Sequence, residues 1–116
     1  MTNLERGEVV VVLFPNSDLQ TFKRRPVLVV QADNLNTGLP QFVGAMITSN
    51  LVRRGHPSRV FIALQTAEAR AAGLRTDSII MTDNLATILE AAVIQKLGKL
   101  TDLGDVDSAL RVTLGI

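Results

Sequence analysis

Residues 9–14, Val-Val-Val-Val-Leu-Phe, form an unbroken apolar run held between Gly7 and Pro15. β-Branched side chains are stiff at χ1 and pack well on a pleated surface, so a run this short and this rich in valine predicts a strand buried on both faces. It falls far short of the ~20 apolar residues that cross a bilayer as a helix. A strand buried on both faces needs partners on either side, and the rest of the chain must supply them.

Four more β-rich segments follow, at residues 27–31, 42–47, 59–64 and 78–81, and residues 86–89 suggest a sixth. Pro15-Asn16-Ser17-Asp18 opens the first loop, which is expected to run to Arg25, and Pro26 begins the second strand where a missing N–H does least harm. Residues 34–40, with Asn36-Thr37-Gly38, predict a hairpin turn onto the third strand. Residues 48–58 are polar and basic and read as a surface loop. Alanine-rich residues 66–72 suit a short helix stopped by Gly73, and residues 90–97 have helical composition up to Gly98. Leu103, Val106, Leu110, Thr113 and Leu114 recur at helical spacing, with Thr101 or Asp102 placed to cap that last helix. Without a crossover helix after each strand, an open parallel sheet is excluded. The pattern predicts one mainly-β domain over residues 1–116, a small twisted barrel or half-barrel with a C-terminal helix.

Composition narrows the chemistry. The chain has one histidine, His56, and no cysteine, which removes disulfides, thiolate nucleophiles and any multi-His or Cys-based metal site within one chain. No phosphate-binding glycine loop is present, and no close carboxylate pair resembles a two-metal nuclease or glycosidase dyad. Four phenylalanines without Tyr or Trp make a broad base-stacking platform a poor expectation. No metal and no cofactor are therefore expected. The start, MTNLERGE, carries both signs of charge and does not read as a signal peptide, so a soluble cytoplasmic protein with no membrane partner is the default.

The formal net charge is only +1, but it is unevenly spread. Between Thr21 and Val60 stand Lys23, Arg24, Arg25, Arg53, Arg54 and Arg59 against the single acid Asp33. Such a patch suits an anionic ligand at one site, or equally a solvated positive face. If the second and third strands pair through the turn at 34–40, Arg25 and Thr48 emerge at the same rim. A guanidinium and a hydroxyl there can grip a phosphate. On spacing alone the same residues also read as a charged strand end followed by a turn-forming Thr48-Ser49-Asn50.

The ordered landmarks ERGEVVVV, KRRPVLVV, GAMITSN, GLRTDSIIMTDNLATI and LGKL resemble those of the MazF/PemK toxin family across nearly the whole chain. The resemblance implies an SH3-like barrel of the kind shared by CcdB, MazF and PemK, assembled as a homodimer. It implies metal-independent, sequence-selective cleavage of single-stranded RNA, with inhibition of translation and growth, and neutralisation by an antitoxin with a disordered acidic segment. The family's catalytic arginine and hydroxyl correspond to Arg25 and Thr48. Cleavage of this kind proceeds by attack of the 2′-hydroxyl on the adjacent phosphorus, leaving 2′,3′-cyclic phosphate and 5′-hydroxyl ends. Substrate-binding roles fall to Asp18 and Gln20 in the first loop, Lys23, Arg24, Arg53 and Arg54 on flanking phosphates, Ser49 and Asn50 beside Thr48, and Asp83 and Asn84 after the fifth strand. Candidates for the general base are Asp83, Asp18 and His56, in that order. The first-loop histidine of some members is missing, and Met81 and Ala86 stand where some members carry arginine. The alternatives are a gyrase poison of the CcdB type, which the ending Leu114-Gly115-Ile116 disfavours for want of a tryptophan, a barrel that binds RNA or antitoxin without cutting, and a small interaction domain with no nucleic-acid role.

Overall fold

The structure, a computed structural model, describes residues 3–16 and 18–116. Six strands, β1 (Glu8–Pro15), β2 (Phe22–Val29), β3 (Gln41–Thr48), β4 (Arg59–Ile62), β5 (Ser78–Leu89) and β6 (Val93–Lys99), make one antiparallel sheet in the order β4-β5-β3-β2-β1-β6. Helix α1 (Ala67–Ala72) lies between β4 and β5, and α2 (Gly104–Leu114) ends the chain. No helix among the described residues is long and apolar enough to cross a membrane.

The valine run explains the sheet's position at the centre of the core. Successive side chains along a strand point to opposite faces, so β1 and its neighbours feed two separate apolar clusters. Val9, Leu28, Ala45 and Ile47 pack beneath the helices with Ala69, Ala72 and Val106, while Val10, Val12, Val27, Val29, Phe42 and Met46 fill the other face with Ile88. Val9, Val10, Val12, Val27 and Leu28 are wholly buried.

Helix α1 starts where Thr66 accepts the Ala69 N–H at 3.2 Å, and it stops at Gly73 in the left-handed region, φ 72°. Neither Thr101 nor Asp102 caps α2: the cap position is Leu103, which makes no side-chain capping hydrogen bond, and Asp102 only accepts the Gly104 N–H at 3.0 Å from the preceding turn. Arg6 anchors the entry to β1. It donates to the Val30 carbonyl at 2.9 Å and pairs with Asp107 on α2 at 2.6 Å.

Three expectations need correction. The first loop does not run to Arg25, because Lys23, Arg24 and Arg25 already belong to β2 and pair with Phe14, Leu13 and Val12. Residues 78–81 and 86–89 are one strand rather than two. The register steps from Met46 opposite Met81 to Ala45 opposite Leu85, so Thr82, Asp83 and Asn84 form a bulge. Residues 90–97 are not helical: only Glu90–Ala92 make a 3-10 turn, and β6 follows. The open edge of β1 takes β6 as its partner, and ladder formation overrides the helical composition. Of the two expected shapes the sheet takes the open, half-barrel one, since β4 and β6 share no ladder among the described residues. Backbone contact spans the gap instead. A Cβ on Gly98 of β6 would fall 2.1 Å from the Ala71 carbonyl oxygen, and one on Gly73 would fall 2.3 Å from that of Leu97.

Candidate active site

The geometry of the β2–β3 pair creates a cleft. These strands pair from Val29 opposite Gly44 to Val27 opposite Met46, and the ladder ends there. Pro26, next along β2, has no N–H to contribute. Carrying the same register two residues further brings Arg25 level with Thr48, on one face of the sheet. In front of the parted strand ends lies a cleft of about 700 Å³. Lys23, Arg24, Arg25, Thr48, Ser49 and Asn50 all line it, so six of the predicted site residues converge.

The hydroxyl of Thr48 is oriented by its own turn. Its oxygen accepts the Asn50 N–H at 3.1 Å, and Asn50 in turn accepts the Val52 N–H at 3.2 Å to cap a 3-10 turn over Leu51–Arg53. That arrangement leaves the Thr48 proton available, since it donates to no group among the described residues. Arg25 is half-buried and makes no ion pair or side-chain hydrogen bond among them. Among the described residues, the cleft is lined by four cations, the fourth being Arg75, and by no carboxylate.

The remaining predicted residues lie elsewhere. Asp18 folds its own loop, accepting the Gln20 N–H at 2.9 Å, the Thr21 N–H at 3.0 Å and the Thr21 hydroxyl at 2.9 Å. Those hydrogen bonds hold its carboxyl below the usual carboxylate range. Gln20 is exposed on the same loop. Asp83 projects from the β5 bulge into a two-point pair with Arg59, at 2.8 and 3.2 Å, and this hydrogen bonding lowers its pKa and raises that of Arg59. Asn84 is exposed in that bulge. The Arg53 carbonyl accepts from Arg59, Arg54 stacks 3.8 Å from the Phe61 ring centroid, and His56 is turned to Ser58 at 2.7 Å. None of these lines the cleft.

Sequence reasoning missed Arg75, Thr76 and Gln95, which do line it. Arg75 and Thr76 lay within a recognised motif, yet nothing local showed that the segment after α1 folds back to the strand ends. Gln95 was hidden by the helical reading of residues 90–97.

The sequence pattern of the family described as the PemK-like, MazF-like toxin of type II toxin-antitoxin systems matches residues 5–114. Endoribonuclease MazF2 of Mycobacterium bovis and endoribonuclease MazF6 of Mycobacterium tuberculosis are each 32% identical over 107 residues, covering 90% of this chain and 90% of theirs. Among solved structures, a mycobacterial endoribonuclease in complex with its cognate antitoxin superposes with a TM-score of 0.75 at 21% identity, over 98% of this chain and 97% of that one. Another solved structure, of an endoribonuclease from a mycobacterial species, gives 0.74 at 24% identity, over 100% of this chain and 95% of that one. The structural likenesses establish the fold, and the match along the sequence goes further: the chain belongs to the PemK-like, MazF-like family of type II toxin-antitoxin toxins, and these curated relatives are endoribonucleases.

Proposed function

We propose that this toxin is an endoribonuclease that draws single-stranded RNA along the β2–β3 cleft and cuts it with Arg25 and Thr48. The observation that carries the reading is the cleft itself, with four cations, several hydroxyls and no carboxylate. Its charge favours a phosphodiester chain, and an open groove admits unpaired nucleotides whose bases can be splayed outward.

In the proposed reaction the 2′-oxygen forms a bond to phosphorus and the bond from phosphorus to the 5′-oxygen breaks. The products carry a 2′,3′-cyclic phosphate and a 5′-hydroxyl. Arg25 stabilises the charge that builds on the non-bridging oxygens and gives a proton to the departing 5′-oxygen, which is far more basic than a guanidine. Thr48, its oxygen already accepting from Asn50, donates its proton to a non-bridging oxygen. Asp18, His56 and Asp83 are engaged away from the cleft, so the 2′ proton passes to water in the open groove, and the Arg25 guanidine, strongly basic once it has given up its proton, takes one back from that water. Lys23 and Arg24 hold flanking phosphates, with Ser49 and Asn50 beside them. With no carboxylate to hold a cation, the cleft suits cleavage that persists in a chelator. The same charge suits a disordered acidic antitoxin segment, and a second copy of the chain extends the groove.

Arg25→Ala tests this reading. Losing one transition-state donor costs roughly 10²- to 10³-fold in rate, so a folded Arg25→Ala protein is expected to leave RNA intact on the time scale in which wild type degrades it. Undiminished cleavage by that variant would remove Arg25 from the mechanism.

A further inference from the structure

We propose that Arg75 is a further phosphate-gripping arginine, holding an RNA phosphate next to the scissile one from the wall of the cleft formed by the α1–β5 segment. The proposal rests on the ribonuclease reading of the cleft and gives a role to its fourth cation, which that reading leaves without one.

Three observations place it. Arg75 lines the cleft with Lys23, Arg24 and Arg25 but belongs to a different wall, separated from β2 by some fifty residues of chain. It is exposed and makes no ion pair among the described residues, whereas Arg6, Arg59, Lys96 and Lys99 pair with carboxylates at 2.6 to 3.2 Å outside the cleft. The nearest acid in sequence, Asp77, is turned away, accepting the Leu64 N–H at 2.7 Å. The segment that carries Arg75 is also fixed at both ends. On one side, Gly73 and Gly98 bring α1 and β6 into backbone contact, and the Leu74 N–H donates to Ala69 at 3.0 Å. On the other, Ser78 donates to the Thr76 carbonyl at 2.9 Å. A cation on a fixed backbone beside a phosphate-binding site loses little freedom when it binds, which is what makes a guanidinium useful there. Because it meets a phosphate before and during the reaction alike, it raises affinity without changing the chemical step.

The test compares Arg75→Gln, Arg75→Lys and Arg24→Gln, with Arg111→Gln on α2 as an exposed control. Binding is measured with an RNA carrying 2′-O-methyl groups at every position, which cannot be cut, over a range of salt. Cleavage of the unmodified RNA gives kcat and KM. Arg75→Gln is expected to weaken binding roughly 3- to 10-fold and to flatten the plot of log affinity against log salt by ~0.7, the share of one single-strand phosphate contact. KM should rise by a similar factor with kcat nearly unchanged, and Arg75→Lys should restore the salt slope. If Arg75→Gln behaves like Arg111→Gln while Arg24→Gln weakens binding, Arg75 lies outside the RNA path and only this proposal falls. If neither Arg24→Gln nor Arg75→Gln alters binding, the cleft does not hold RNA and both readings fall. A collapse of kcat in Arg75→Gln would place Arg75 on the reacting phosphate and overturn the flanking assignment.

Discussion

Replacing Gly98 by alanine tests the contact that closes the gap in the sheet. The new Cβ would lie 2.1 Å from the Ala71 carbonyl oxygen, 2.7 Å from the Ala72 carbonyl carbon and 3.0 Å from that of Ala71. The first distance is more than about 1 Å inside ordinary van der Waals contact. Backbone atoms supply all three obstacles, so no side-chain rotation relieves them. Either α1 lifts from β6 or β6 shifts along β1. Overpacking of this kind costs about 1–3 kcal/mol, and a backbone obstacle belongs at the upper end. Alanine also restricts the unfolded chain, which returns roughly 0.4–1 kcal/mol. A net loss of about 2 kcal/mol remains, a large share of the ~5–15 kcal/mol typical of a domain. The midpoint of thermal unfolding should fall by roughly 8–10 °C. Gly104→Ala makes the same chemical change at the start of α2, where the nearest atom is the rotatable Asp102 carboxylate at 3.3 Å. It should stay within ~0.5 kcal/mol of wild type. Urea unfolding of both variants, followed by far-ultraviolet circular dichroism, gives the comparison. A Gly98→Ala protein as stable as Gly104→Ala would refute the contact and the closure derived from it.

Thr82→Val removes a hydroxyl at almost constant volume from the base of the β5 bulge. That buried hydroxyl donates to the Ser58 carbonyl at 2.6 Å and meets the Thr113 hydroxyl at 2.8 Å, so a loss of roughly 1–2 kcal/mol is expected in denaturant unfolding. The Asp83–Arg59 pair predicts a pH effect of definite sign. Its folded-state pKa lies below the ordinary 3.8, so its stabilisation is present above that value and disappears as the pH falls through the folded one. Asp83→Asn should therefore flatten the acid limb of the stability curve below about pH 4 while leaving RNA cleavage near wild type, as read by unfolding and cleavage assays side by side.

Much of this architecture was legible because it rests on local chemistry. The valine run and Gly73 after an alanine-rich stretch each act through their own backbone preferences, whereas Pro26, expected to open the second strand, lies inside β2. Arg25 and Thr48 were placed together by a register that needs only one hairpin, and the structure carries that register to within two residues of both. The misreadings involve partners distant in sequence. Residues 90–97 look helical until the empty edge of β1 is considered. The bulge at Thr82–Asn84 looks like a break between strands until Ser58 and Thr113 are seen to hold it. Asp83 ranked first as a base because nothing near it in sequence revealed Arg59, twenty-four residues away, as its partner. Arg75 was overlooked for the same reason, since only the packing of α1 on β6 brings its segment to the cleft.

The central claim is that Arg25 and Thr48 cut RNA by using its own 2′-hydroxyl. The direct measurement is end-group analysis of the products from a mixed-sequence single-stranded RNA incubated with the purified protein in excess EDTA. The account predicts discrete fragments with 5′-hydroxyl and 2′,3′-cyclic phosphate ends, and no cutting of an RNA whose 2′-hydroxyls are methylated. Fragments bearing 5′-phosphates, or cleavage that appears only when a divalent metal is restored, would contradict it.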